Sequence, residues 1–274
     1  MIGGSGVNRF YLATCILLAA RMAWSDAAIE LEYRRDADFA QRARIALIID
    51  DLGNVGRVGQ RVIALAGPVA CAILPHTPYG SYIARQAHVA GKEVLLHLPL
   101  QSVAEFEATG FGTIRIDTTE QQLIRILEAD ISSIPHIVGI NNHMGSLLTQ
   151  HPGHMNWLMS ALKARGDLFF VDSYTSVASV ALQIAREHGV PATRRDVFLD
   201  NVPTRASIDR EFQRLKQLAR TRGSAVAIGH PYPETLSYLE SVLPGLAAEG
   251  IDLVTIEALL REKKNGINGE FLQN

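Results

Sequence analysis

Cysteine is nearly absent from this chain: among 274 residues only Cys15 and Cys71 occur. Cys15 lies in an N-terminal apolar stretch that reads as a leader, so the mature chain keeps a single thiol. That excludes an intrachain disulfide and any zinc cluster built from cysteines. An excess of one charge is also missing. Lys and Arg number 26 against 28 Asp and Glu, a net of −2, which leaves no footprint for nucleic acid or an anionic membrane surface. The apolar run near the start, Phe10 to Ala20, is too short to cross a bilayer as a helix. No linker, low-complexity stretch or internal repeat divides residues 40 to 262.

What is present is the composition of an ordinary globular protein, with 47% hydrophobic and 20% charged residues. Residues 1–25 combine Arg9, the apolar run and the small residues Ala23 and Ser25, the pattern of a secretory signal peptide. Cleavage would place the mature protein in the periplasm or outside the cell, with no membrane span left; a retained N-terminal anchor is the alternative. Residues 26–42 form a polar lead-in, 43–262 a single domain and 263–274 a polar, flexible tail. Oligomeric state is not legible.

Within the domain, short apolar runs alternate with amphipathic segments. The runs IALIID, VACAILP, EVLLHLP, HIVGINNH, LFFVDS, VFLDN, SAVAIGH and IDLVTI are apolar on both faces, as buried parallel strands are. Helical patterns lie between them; Thr118 with Gln121 offers a capping box for one, and Gly166, Gly189, Gly223 and Gly250 stand at helix C-termini. Repeated βα units imply an α/β fold with a parallel sheet, doubly wound or closed into a barrel.

Function in such folds gathers at the C-terminal ends of strands. The polar residues there are Asp50, Asp51, His76, His97, Asn141 to His143, Asp172, Asp200 and His230. Asp50 and Asp51 end an apolar run as adjacent carboxylates, which repel unless a cation or proton intervenes. The bland alternative is a solvated strand end, and for His97 a satisfied core histidine. A barrel would bring all these groups to one rim. Two histidines and a carboxylate there make an open site for a divalent metal such as zinc. One aspartate would bind the ion and the other act as general base, with His230 protonating a leaving group.

These motifs (IALIIDDLGN, LLHLPLQ, NNHMGS, FFVDS and AIGHPY) resemble the divergent polysaccharide deacetylase family, the YibQ-like exported proteins, related to the NodB-homology polysaccharide deacetylases. The resemblance covers residues 43 to 260. It implies a distorted seven- or eight-stranded (β/α) barrel and metal-dependent removal of acetyl groups from a carbohydrate substrate or cell-envelope glycan. By position it makes Asp50 the base, Asp51 and His97 metal ligands, and His230 the late catalytic histidine. The second histidine of the family motif is replaced by Gln101, and the Arg-x-Pro-Tyr-Gly motif is absent. His143, from the neighbouring strand, is our expected third ligand. Asp172 is expected to orient a catalytic group, and Gln101, Asn142 and His76 to contact substrate. Two other readings stay open: an inactive protein that keeps the metal site to bind a glycan or partner, and a glycosidase using Asp50 with Asp172.

Overall fold

Five apolar residues in a row, Ile45 to Ile49, need apolar surroundings on both sides of a strand, and the fold supplies them. The computed structural model describes residues 42–104 and 112–261; the expected leader, the lead-in as far as residue 41 and the tail from residue 263 lie outside the described residues. Nine strands occur in the described chain: β1 (Ala43–Leu52), β2 (Ala70–Ile73), β3 (Val94–Leu100), β4 (Ile137–Met144), β5 (Phe169–Asp172), β6 (Ala192–Arg194), β7 (Val197–Phe198), β8 (Ser224–Gly229) and β9 (Ile251–Leu253). Helices α1 (Gly56–Ile63), α2 (Gly80–Val89), α3 (Glu120–Ser133), α4 (Pro152–Arg165), α5 (Ala181–Glu187), α6 (Arg205–Arg222) and α7 (Pro233–Val242) connect them.

All ladders are parallel, in the order β6-β5-β4-β3-β2-β1-β8-β7, with β9 beside the start of β1. The two ends of that order, β6 and β7, are consecutive in the chain and separated only by Arg195 and Asp196. So short a link spans about 11 Å at most, so the sheet curls until its edges meet. The exchange of neighbours happens within one peptide step: the Arg195 amide donates to Asp172 O on β5, and the next amide, of Asp196, to Val226 O on β8. The result is the expected distorted barrel.

Strand alternation sorts the side chains into two cores. Ala46, Ile48, Leu95, Val171, Val226 and Ile228 fill the lumen, while Ile45, Leu47 and Ile49 face outward under the helices. Phe169 also enters the lumen, over Gly139, where a β-carbon would stand 2.3 Å from its ring. At the N-terminal end of the strands Ile256 and Leu259, on the helix that starts at 256, stop the barrel. Buried Glu93 holds that helix by accepting hydrogen bonds from the amides of Ile256 (2.7 Å) and Glu257 (2.8 Å).

Local signals mostly match. Gly166, Gly189, Gly223 and Gly250 all take left-handed conformations after their helices. The capping box is one residue later than expected: Thr119 and Gln122 form it, and Thr118 instead accepts a hydrogen bond from the Arg115 amide. Among the described residues no helix is long and apolar enough to cross a membrane.

Candidate metal centre

Asp50 shares the parity of Ala46 and Ile48 and so faces the lumen; a regular pleat would turn Asp51 outward. The register of β1 against β2 shifts between Ile49 and Leu52, and Asp51 takes φ 58°. This bulge turns both carboxylates toward one cavity. A positive φ is uncommon for a residue with a β-carbon, and Asp tolerates it better than most. Met144 and Tyr174, also at the cavity, share it (φ 54° and 51°).

His97 follows Leu95 on the inner face of β3, and β4 aligns Asn141 with His97 and His143 with Pro99. His230 follows Val226 and Ile228 at the end of β8. Three ligand atoms thereby converge. Asp51 Oδ1 is 3.0 Å from His143 Nδ1 and 3.3 Å from His97 Nε2, and the two ring nitrogens are 3.1 Å apart. Atoms that share a small divalent ion at about 2.1 Å are about 3.0–3.4 Å from one another. Asp51 Oδ1 is buried and without a hydrogen bond, an arrangement that a cation at the centre of the triangle satisfies. Two imidazoles and a carboxylate are a donor set suited to zinc and its neighbours, and the residues present therefore fit such an ion.

Asp50 stands just outside the triangle, Oδ2 3.6 Å from His97 Nε2. Burial lifts its pKa above the usual carboxylate range despite His97 and His230 nearby. Burial also works to raise Asp51, but the close imidazoles of His143 and His97 outweigh it and hold that carboxyl well below the usual range. Burial disfavours charge on His97 too; the facing Asp50 and Asp51 prevail and raise the ring to about 9. Behind these groups Asn141, fully buried, touches both Asp50 and His97.

Across the cavity, of about 670 Å³, His230 is held by Asp200. The buried Asp200 carboxylate accepts from His230 Nδ1 (2.9 Å), the His230 amide (2.6 Å) and Thr235 Oγ1 (2.8 Å). His230 Nε2 is left on the metal side, 3.7 Å from Asp51 Oδ2. Burial opposes charge on this ring, but the Asp200 bond and the surrounding carboxylates raise its pKa. Arg195 forms part of the wall: Nε and Nη2 donate to the carbonyls of Ser173 (2.7 Å) and Tyr174 (2.9 Å), and the guanidinium lies 4.8 Å from the Phe198 ring.

The cavity thus brings together Asp50, Asp51, His97, Asn142, His143 and His230. Asn142 spends both ends of its amide on backbone, donating to Met144 O and accepting from the Ser173 amide. Three expected residues are not at the cavity. Asp172 has the outward parity of Phe170, and its carboxylate accepts from the Tyr174 amide and Ser179 Oγ, bracing the turn after β5. Gln101 Oε1 accepts from the Ile116 amide, tying down the segment before α3. His76 turns to α3, where Nε2 meets the buried Asp130 at 2.8 Å. Asp200 was visible as a strand-end residue, but its partnership with His230 was not. Arg195 was missed because no strand was expected at 192–194.

The sequence profile of the divergent polysaccharide deacetylases matches residues 47–260. The chain belongs to that family. As a divergent polysaccharide deacetylase it is 36% identical over 219 residues to the uncharacterized protein YibQ of Escherichia coli K12, covering 80% of this chain and 68% of that one. Among solved structures it resembles the uncharacterized protein ATU2773 of Agrobacterium tumefaciens C58, with a TM-score of 0.76, 24% identity and coverage of 80% and 89%. It also resembles the catalytic domain of the peptidoglycan N-acetylglucosamine deacetylase of Eubacterium rectale, with a TM-score of 0.53, 17% identity and coverage of 78% and 89%. These two likenesses show the shared fold. In this divergent polysaccharide deacetylase the imidazole beside His97 comes from His143 on the adjacent strand, not from the position of Gln101.

Proposed function

We propose that the protein is an exported, metal-dependent hydrolase that removes acetyl groups from an N-acetylated polysaccharide or cell-envelope glycan. Asp51, His97 and His143 would hold the ion, zinc being the best match to the donors. One observation carries the reading: three ligand atoms 3.0–3.3 Å apart surround a buried carboxylate oxygen with no other partner, with a second carboxylate beside them. Family membership supports the substrate class.

A bound divalent ion supplies Lewis-acid polarisation of a carbonyl oxygen and acidifies water. Asp50, whose carboxyl is raised by burial, is suited to take the proton of the attacking water as its oxygen joins the acetyl carbon. His230, fixed by Asp200 with Nε2 toward the cavity, gives a proton to the sugar nitrogen as the C–N bond breaks and acetate leaves. Arg195 and Phe198 wall the cavity opposite.

The test is acetate release from N-acetylglucosamine oligomers and peptidoglycan fragments, with metal content measured in parallel. Activity lost to a chelator and restored by zinc, and abolished in Asp50→Asn, is the expected result. A metal-loaded chain that releases no acetate from any N-acetyl sugar is a binding protein instead. The glycosidase reading loses its footing, because Asp172 does not share the cavity with Asp50.

A further inference from the structure

Asn141 is fully buried on the inner face of β4, behind the residues that line the cavity, and its amide makes three contacts. Nδ2 is 2.8 Å from Asp50 Oδ1 and 3.3 Å from Ser173 Oγ, while Oδ1 is 2.9 Å from His97 Nδ1. Chemistry fixes which way this amide points. An ionised carboxylate offers only lone pairs, so the NH₂ group must face Asp50 and the carbonyl must face His97. A carbonyl in turn accepts, so His97 carries its hydrogen on Nδ1. In the neutral ring that a metal ion requires, the remaining nitrogen, Nε2, then presents its lone pair to the triangle shared with Asp51 Oδ1 and His143 Nδ1.

We infer that Asn141 is a positioning residue that links the base to the metal ligand: one amide holds Asp50 by donation and locks His97 in the Nδ1–H tautomer by acceptance. The inference rests on the reading of Asp51, His97 and His143 as ligands and adds to it a residue that touches neither the ion nor the substrate. Its two halves serve different tasks. The carbonyl half serves metal affinity, as outer partners of ligating histidines do. The NH₂ half serves Asp50, directing its free oxygen, Oδ2, toward the cavity side. A carboxylate at position 141 keeps the first task, because it still accepts from His97, and loses the second, because beside Asp50 the two carboxylates repel or share one proton and Asp50 no longer stands as a free base.

Zinc titration of the metal-stripped full chain separates the two. Asn141→Ala is expected to weaken zinc binding about 10–100-fold, whereas Asn141→Asp keeps affinity near that of the unaltered protein. On an N-acetylated sugar oligomer Asn141→Asp then lowers kcat with KM little changed. Equal zinc affinity in the unaltered chain and Asn141→Ala, or a loss in Asn141→Asp as large as in Asn141→Ala, overturns the inference. Should either variant fail to fold, histidine ¹⁵N spectra of the unaltered zinc-loaded protein decide. A proton on His97 Nδ1 with the metal on Nε2 supports it, and the reverse overturns it, as does a chain that takes up no zinc. A chain that orders its zinc affinities as expected but releases no acetate leaves the role of Asn141 standing and removes only the deacetylase reading.

Discussion

Asp51 occupies a backbone conformation that most residues avoid, and the reason lies in its side chain. Here the positive φ, with the shift in register, breaks the alternation so that two consecutive carboxylates leave the strand on the same side. Asp51→Asn and His143→Ala each remove one corner of the triangle and are expected to lower zinc affinity at least about 100-fold, beyond the loss typical of an outer partner. Metal analysis after dialysis measures this, and unchanged zinc content in both variants would refute the ligand assignment. Asp200 makes no contact with the triangle, so Asp200→Ala should leave zinc content intact. It frees His230 to rotate and should cost about 100-fold or more in kcat, the scale of a lost general acid. Position at the C-terminal ends of strands made His97, His143 and His230 legible in the sequence, and the structure adds that all three lie on the inward side of their strands. That one of the two adjacent aspartates holds a cation was legible from their repulsion, but that it is Asp51 came only through the resemblance to a motif, since nothing local announces a bulge. Gln101 and Asp172 look equally good in the sequence, and only their partners, the amides of Ile116 and Tyr174, show that they hold backbone in place.

At the scale of elements, most strands could be read because both of their faces are buried and both are therefore apolar. β6 could not: its three residues, Ala192–Arg194, follow Pro191 and end in an arginine with another just after it, so no apolar run marks them. That miss concealed Arg195. Another element-level feature is the contact between α3 and the loop after β2, where Asp130 is wholly buried, pairs with His76 and leaves Oδ2 without a partner. Burial raises this carboxyl to about 8, far above its value in an unfolded chain. The folded state therefore holds a proton that the unfolded state has released between about pH 4 and pH 8. Stability falls as pH rises through that window, by up to about 1.4 kcal/mol per pH unit. Asp130→Asn removes this slope: Tm measured from pH 5 to pH 8 should decline less in the variant than in the unaltered protein. Parallel Tm curves would show that Asp130 titrates normally.

For the whole molecule, the barrel separates stability from chemistry by placing them at opposite ends. Ile256 and Leu259 stop the end where strands begin, and the candidate metal centre lies where they finish. Glu93, which anchors the stopper, is thus remote from the cavity. Glu93→Ala leaves the buried amide of Ile256 without an acceptor, and the part-buried one of Glu257 with it, and should cost about 1–3 kcal/mol, read as a lower denaturation midpoint. Zinc affinity of the folded fraction should not change. The barrel itself was legible from the run of βα units, but the mode of its closure was not, because two residues between β6 and β7 look like any short turn.

That closure has a mechanical consequence. The pass of chain from β6 to β7 is the seam of the barrel, stitched to β5 on one side and to β8 on the other, each by very few bonds. Arg195 lies on the seam and in the cavity wall at once. A glycan that fills the cavity would lean on the place where the cylinder is weakest, and by bridging Arg195 to His230 would act as a clasp. Occupancy would then be felt as slowed amide exchange at Arg195 and Asp196, turning the joint of the fold into a gauge of what the protein holds.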